Sequence, residues 1–257
     1  QIARGAPVGP IERSVALSQD PRIALESASV DGSINLVGAR FDDLSLRNYR
    51  QAVDQNSPEV TLLSPQASVD GYDSYFGWED PVTGDDLVGA RTPWNAAPGA
   101  KLTPQTPLVL NYTAPNGLVF TRTIAMDDGF LFTISDTVQN PGASVVNVRP
   151  FSVVRRRDMP RDFVNNGIVH QGMVGVLGAD RILQETKYLD AKKFAEEKTQ
   201  GKRQQESVLF QKEGPGGWLG ISDHYWLTAL VPPQNEVIKA TFNATPSQGY
   251  IDFRTDY

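Results

Sequence analysis

The chain has 257 residues, 40% of them hydrophobic, with a formal net charge of −6 and no cysteine. That length can bury a large core without staples. The missing cysteines exclude disulfides, thiolate catalysis and cysteine-ligated zinc, and the acidic balance argues against a nucleic-acid partner or a broadly basic, lipid-hugging surface. No apolar run approaches the ~18 residues of a membrane span, and no signal peptide is visible.

Residues 1–20 are mixed polar and include Gly5, Pro7, Gly9 and Pro10, which predicts a flexible tether ahead of one domain over residues 21–257. From Arg22 onward the pattern is mostly strands. Trp78 to Pro107 is rich in proline and glycine with little alternation, so a long excursion is expected there, with Trp94 partly exposed. Leu108, Leu110 and Tyr112 share one face of the next strand. Pro115-Asn116-Gly117 reads as a hairpin turn, followed by a strand with Leu118, Phe120, Ile124 and Met126 inward. Asp127-Asp128-Gly129 is a tight turn into a half-buried strand with Phe130, Phe132, Ile134 and Val138 on one parity and Thr133, Ser135, Thr137 and Gln139 on the other.

Tyr188 to Gln200 is the one helical stretch. Tyr188, Ala191, Phe194 and Ala195 form a narrow apolar stripe beside Lys192, Lys193, Glu196 and Glu197, and Gly201 is placed to end it. Gly216 to Pro233 reads as one long strand, with Leu219, Ile221, Tyr225, Leu227, Ala229 and Val231 on one parity and a bulge at Asp223-His224. Pro232 and Pro233 close it. Ile238, Ala240, Phe242 and Ala244, then Ile251, Phe253 and Tyr257, repeat the strand pattern. About 15 or more short strands with one small helix argue an all-β fold, a large twisted sandwich of two antiparallel sheets.

Several of these stretches are ordered motifs. Gly32-Ser33-Ile34-Asn35-Leu36, then Gly38-Ala39-Arg40-Phe41-Asp42-Asp43-Leu44, follow Pro21-Arg22-Ile23. Asn116 to Phe120 and Asp127-Asp128 stand mid-chain. His170-Gln171-Gly172 leads to Gly175-Val176, with Gln171 where a glutamate is expected. Gly216-Gly217-Trp218, Gly220, Asp223 and Tyr225-Trp226 complete the set. Together they resemble the large periplasmic domain of YidC, the bacterial membrane protein insertase, in its alphaproteobacterial type. The resemblance spans roughly residues 21–257.

That resemblance implies a β-supersandwich related to galactose mutarotases, on the periplasmic side of the inner membrane. It implies a transmembrane helix before Gln1 and several after Tyr257, with further strands and a closing helix before the next span. The full-length protein would handle nascent inner-membrane proteins, alone or with the Sec translocon. The insertase groove would lie in the transmembrane helices, so no insertase residue carries over to this chain. The resemblance further implies a domain that is associated with the Sec accessory subunits and is often dispensable for insertion.

No catalytic residue, cofactor or metal is expected. His170 and His224, the latter beside Asp223, invite an acid–base reading on a mutarotase-like fold, but neither sits in a sugar-binding motif, and both read as structural. Arg155-Arg156-Arg157 with Arg161 reads as a solvated rim balanced by Asp158 and Asp162. The aromatics at Tyr72, Tyr75, Phe76 and Trp78, and at Trp218, Tyr225 and Trp226, read as inter-sheet core. Candidate partner-docking residues are Tyr188, Lys192, Lys193, Glu196 and Glu197, with the loop that follows to Gly217. The domain itself is expected to be soluble and monomeric. The alternatives are a carbohydrate- or peptide-binding module, and a mutarotase-like enzyme.

Overall fold

The structure is a computed structural model that describes residues 9–54, 56–165, 169–203, 208–247 and 249–257. In chain order the elements begin with α1 (Arg13–Leu17), β1 (Arg22–Glu26), β2 (Val30–Asn35), β3 (Arg40–Arg50), β4 (Glu59–Leu63), β5 (Tyr72–Glu79), β6 (Asp86–Val88) and β7 (Asn95–Ala96). They continue with β8 (Leu108–Thr113), β9 (Val119–Met126), β10 (Phe132–Gln139), β11 (Arg149–Arg157), β12 (Gly172–Leu177) and β13 (Ile182–Lys187). The last are α2 (Tyr188–Thr199), β14 (Phe210–Pro215), β15 (Gly217–Ser222), β16 (Leu227–Leu230), β17 (Val237–Ser247) and β18 (Tyr250–Asp256). The fold is all-β and antiparallel, as expected, with two helices among the described residues instead of one.

The chain forms two units, each discontinuous in sequence. The first holds residues 1–13, 66–72 and 152–257; the second holds residues 14–65 and 73–151. In the second unit β1-β2-β3-β5 pair in that order, with β4 also on β3 and β6 on β5, and a further sheet runs β10-β9-β8-β7. Rings join these two sheets: Phe41 on β3 meets Phe132 on β10 edge-on at 5.1 Å, and Trp78 on β5 lies 6.3 Å from Phe120 on β9. Inward parity on β9 is as read, with Phe120 and Ile124 fully buried.

In the first unit β11-β18-β17-β14 form one sheet run and β13-β12-β15-β16 a four-stranded sheet. Helix α2 packs on β17 and β18 through the predicted stripe, with Tyr188, Ala191, Phe194 and Ala195 all buried. Its first N–H is satisfied by the Gln171 carbonyl at 3.0 Å. Its end is closed by Gly201 at φ +74, with the Lys202 N–H donating to the Glu197 carbonyl at 2.9 Å.

The structure departs from the sequence reading in several places. Gly216–Pro233 is not one bulged strand. It is a hairpin, β15 paired antiparallel with β16, closed by the Asp223 N–H donating to the Trp226 carbonyl at 2.8 Å. The reversal sets Leu219 opposite Leu230 and Ile221 opposite Thr228, so the parity does not carry through: Leu219 and Ile221 are fully buried, while Tyr225 and Val231 are 76% and 63% exposed. The turn after β9 runs from Asp127 to Leu131, because the Asp127 carboxylate accepts from the N–H groups of both Gly129 and Leu131, so Phe130 sits exposed in the loop. Trp94 is buried at 3% exposure under Arg122, 4.8 Å away. In the stretch expected as a tether, α1 buries Ala16 and Ile11 bridges Ser68; residues 1–8 lie outside the described residues.

Candidate functional site

The hairpin turn between β15 and β16 carries the polar centre of the first unit. Asp223 accepts from the Tyr188 hydroxyl at 2.7 Å and pairs with Arg156 Nη1 at 3.1 Å. Arg156, on β11, stacks over the Tyr72 ring at 4.9 Å, and Tyr72 donates its hydroxyl to the Ile221 carbonyl at 2.7 Å. Three elements, β11, α2 and the turn, therefore converge on one carboxylate. Arg156 and Asp223 side chains are 7% and 15% exposed. Burial pushes the Asp223 carboxyl above its usual value, although Arg156 pulls the other way. Burial likewise raises the Tyr188 hydroxyl, with the Asp223 charge adding to it. Each carboxylate oxygen is engaged by a different element, so the arrangement serves as a clamp.

Alternation places Arg156 inward between Arg155 and Arg157. Arg157 instead lies over the Tyr250 ring at 3.9 Å and donates to the Gln66 carbonyl, and Arg161 pairs with Asp70 at 3.4 Å. The three consecutive arginines form no single patch. The partners of Arg156 and Arg161 are Asp223 and Asp70, where the sequence reading named Asp158 and Asp162.

The second unit holds a buried pair that parity reading passed over. Arg122 lies on the inward face of β9 with Phe120 and Ile124, fully buried, directly across from Asp136 on β10. Two guanidinium nitrogens donate to Asp136, at 2.8 and 2.7 Å, and Nη1 donates to the Phe76 carbonyl at 3.0 Å. The Trp78 indole N–H also donates to Asp136, at 2.7 Å.

The Gly38 to Leu44 motif is structural as well. Gly38 stands at φ +85, where a Cβ would fall 2.4 Å from the Ala90 carbonyl oxygen. That close approach lets Arg40 donate to the same carbonyl at 2.8 Å while reaching Asp42 and Asp20. The Asp42 side chain is fully buried, held by Arg22, Arg40 and the Asn35 amide.

The two histidines have separate partners. His170 Nε2 lies 3.1 Å from the Met173 carbonyl, which fixes the proton on that nitrogen, and Nδ1 lies 3.6 Å from Glu185. His224 packs edge-on against Tyr225, ring centres 4.0 Å apart. No hydrogen bond or ion pair joins the two, and no cluster of three metal-ligating residues occurs among the described residues. Gln171, where glutamate was expected, donates its amide to the Val164 carbonyl at 3.0 Å, a bond an ionised glutamate cannot make.

Of the candidate docking residues, Tyr188 is fully buried and anchors α2. Lys193 and Glu196 are exposed; Lys192 and Glu197 are half-buried, and Glu197 accepts from Arg203. Residues 204–207 of the loop that follows lie outside the described residues. No helix among the described residues is long and apolar enough to cross a membrane.

Comparison with known proteins bears on these motifs directly. The family described as the YidC periplasmic domain matches residues 22–257. A "Membrane protein insertase YidC" from Rhizobium etli (strain CIAT 652) is 39% identical over 242 residues, covering 94% of this chain and 38% of the relative. Proteins of the same name from Caulobacter sp. (strain K31) and Brucella suis biovar 1 (strain 1330) are 40% and 39% identical, covering 93% and 91% of this chain. The chain spans 38% and 36% of the length of those two. With its motifs in order and its match running from the first strand to the last residue, the chain belongs to the YidC periplasmic domain family.

Proposed function

We propose that this chain is the periplasmic domain of a YidC-type membrane protein insertase and assists insertion and folding of inner-membrane proteins without catalysing a reaction. The observation that carries this reading is the family match over residues 22–257, in a chain that spans 38% of a relative named as an insertase. Membrane-spanning work would then belong to the remainder of the protein. A non-catalytic role is supported by the separate surroundings of His170 and His224 and by the contacts of Tyr188 and Arg156 that already hold Asp223.

The domain's own task in this reading is to dock components of the Sec translocon, its accessory subunits first. The exposed side of α2, with Lys192, Lys193, Glu196 and Glu197, is the proposed contact, and Tyr188 holds that helix from beneath. Tethering both partners to one membrane raises their effective concentration, so a contact of about micromolar strength suffices. Reversing charge at Lys192 and Lys193 in the full-length protein is expected to lower co-purification of the Sec accessory subunits several-fold while the melting temperature stays unchanged. Co-purification equal to the wild type, in a variant that is folded, contradicts docking at this helix.

A further inference from the structure

Strand β10 is the outer strand of the sheet β10-β9-β8-β7 and pairs only with β9 among the described residues. Two independent hydrogen bonds fix which of its backbone groups are used. The Asp127 N–H donates to the Leu131 carbonyl at 3.1 Å, and antiparallel alternation from that pair turns Thr133, Ser135, Thr137 and Gln139 toward β9. On the other side of β9, the Ala114 N–H donates to the Leu118 carbonyl at 2.8 Å. Alternation from there turns Phe120, Arg122 and Ile124 toward β8, leaving Val119, Thr121, Thr123 and Ala125 for β10. Both routes give the same answer. The backbone N–H and C=O groups of Phe132, Ile134, Asp136 and Val138 point outward along an eight-residue edge, and no hydrogen bond to them occurs among the described residues.

Natural sheets guard such edges with prolines, lysines and other charged or inward-pointing charged residues, bulges, short length or a covering segment. Other edges of this chain carry these guards. Strand β16 has four residues and runs into Pro232 and Pro233; β14 contains Lys212 and ends at Pro215; β13 carries Glu185 and Lys187; β7 has two residues. Strand β1 is covered by Leu102, whose N–H and C=O bond Ala24 and Glu26. Strand β10 has no proline, no lysine and no register shift. Its single charge, Asp136, points inward, and Arg122 of the neighbouring strand neutralises it, so it leaves no unpaired charge against an added strand. Its exposed parity, Thr133, Ser135, Thr137 and Gln139, is uncharged, and its inward parity leaves Phe132, Ile134 and Val138 half-buried.

We propose that β10 is a docking edge for an extended segment of another polypeptide, which adds to the sheet as a further strand. The unused backbone groups would set an extended conformation for the partner. The half-buried Phe132, Ile134 and Val138 call for apolar side chains at alternate positions of that segment, and the threonine-rich face accepts β-branched or polar ones between them.

Amide hydrogen exchange on the chain, with and without a short synthetic peptide of alternating valine and threonine ended by lysines, tests this. In the free chain the amides of Phe132, Ile134, Asp136 and Val138 exchange fast while those of Thr133, Ser135 and Thr137 are protected. Peptide at ten times its dissociation constant is expected to slow the four outward amides about tenfold by mass action. Ile134→Pro, which removes one outward donor and no bond to β9, is expected to abolish that protection; the exchange map of the unsubstituted chain stands whether or not this variant folds. Three results overturn the proposal: no slowing up to the solubility limit of the peptide, protection at a different strand, or protection of the four amides that rises with chain concentration alone, which assigns the edge to a second copy.

Discussion

Replacing Arg122 with alanine is expected to cost about 3–5 kcal/mol of folding stability, because it removes one partner of a buried ion pair and leaves Asp136 uncompensated. For a chain of this size that is a fall of ~10 °C in melting temperature. The guanidinium makes three hydrogen bonds and lies over the Trp94 and Phe76 rings, so the loss reaches β5, β10 and the loop that carries Trp94. Arg122→Lys keeps the charge but cannot supply the fork of parallel donors to Asp136, and falls between alanine and wild type. Replacing Arg122 by methionine together with Asp136 by leucine is expected to cost less than Arg122→Ala, since neither charge is then orphaned. Thermal unfolding of the three variants checks the order; Arg122→Ala within about 1 kcal/mol of the wild type would contradict a large stabilising role for the pair.

The Asp223 clamp yields the second large effect. Asp223→Ala strips the partner from buried Arg156 and from the Tyr188 hydroxyl, and is expected to cost about 3–5 kcal/mol. Asp223→Asn is expected to cost less. Burial raises the Asp223 carboxyl in the folded chain, and although Arg156 loses its counter-charge, a turned amide can still accept from Arg156 and donate to the Tyr188 oxygen. The sign follows from linkage. A carboxyl raised on folding contributes stability that is full below its unfolded value and is lost as pH rises through its folded value. The titratable and charged groups around Asp223 include Arg156, Tyr188, Tyr72, Asp162 and Asp70, and the asparagine variant keeps all of them. Its stability relative to the wild type therefore climbs as pH rises from about 4 toward neutral. Denaturant unfolding across that range decides it: an asparagine variant as costly as alanine contradicts the clamp, and a gap that stays flat with pH contradicts the raised Asp223 carboxyl.

Much of the fold was legible in the sequence because it is periodic. Helix α2 was readable to within one residue at its C-terminal end, since Tyr188, Ala191, Phe194 and Ala195 fall on one stripe and Gly201 ends it. The β9 and β10 parities were equally plain. Their inward charges were not, because an apolar template steps over Arg122 and Asp136. The available signal was register: a turn at Asp127 that brings Met126 opposite Phe132 also brings Arg122 opposite Asp136. The β15–β16 hairpin was missed for a related reason. A bulge and a four-residue turn interrupt alternation alike, and Leu227, Ala229 and Val231 keep the parity of Leu219 and Ile221 by number while the chain has reversed. Asp223 is where the two readings meet. In sequence it is a polar interruption beside a histidine; in three dimensions it is the residue on which Tyr188 and Arg156 close. The side of α2 proposed for docking was visible only as the polar complement of a core stripe, which is why Tyr188 stood among the candidate docking residues although it is wholly buried.

The proposed role of this domain is to serve an insertase as a docking element. Deleting residues 22–257 from the full-length protein, joining the ends with a flexible linker, and measuring which Sec accessory subunits co-purify from solubilised membranes tests it most directly. Loss of those subunits, with the shortened protein still present in the membrane at wild-type abundance, is the predicted result. Co-purification undiminished by the deletion would contradict it.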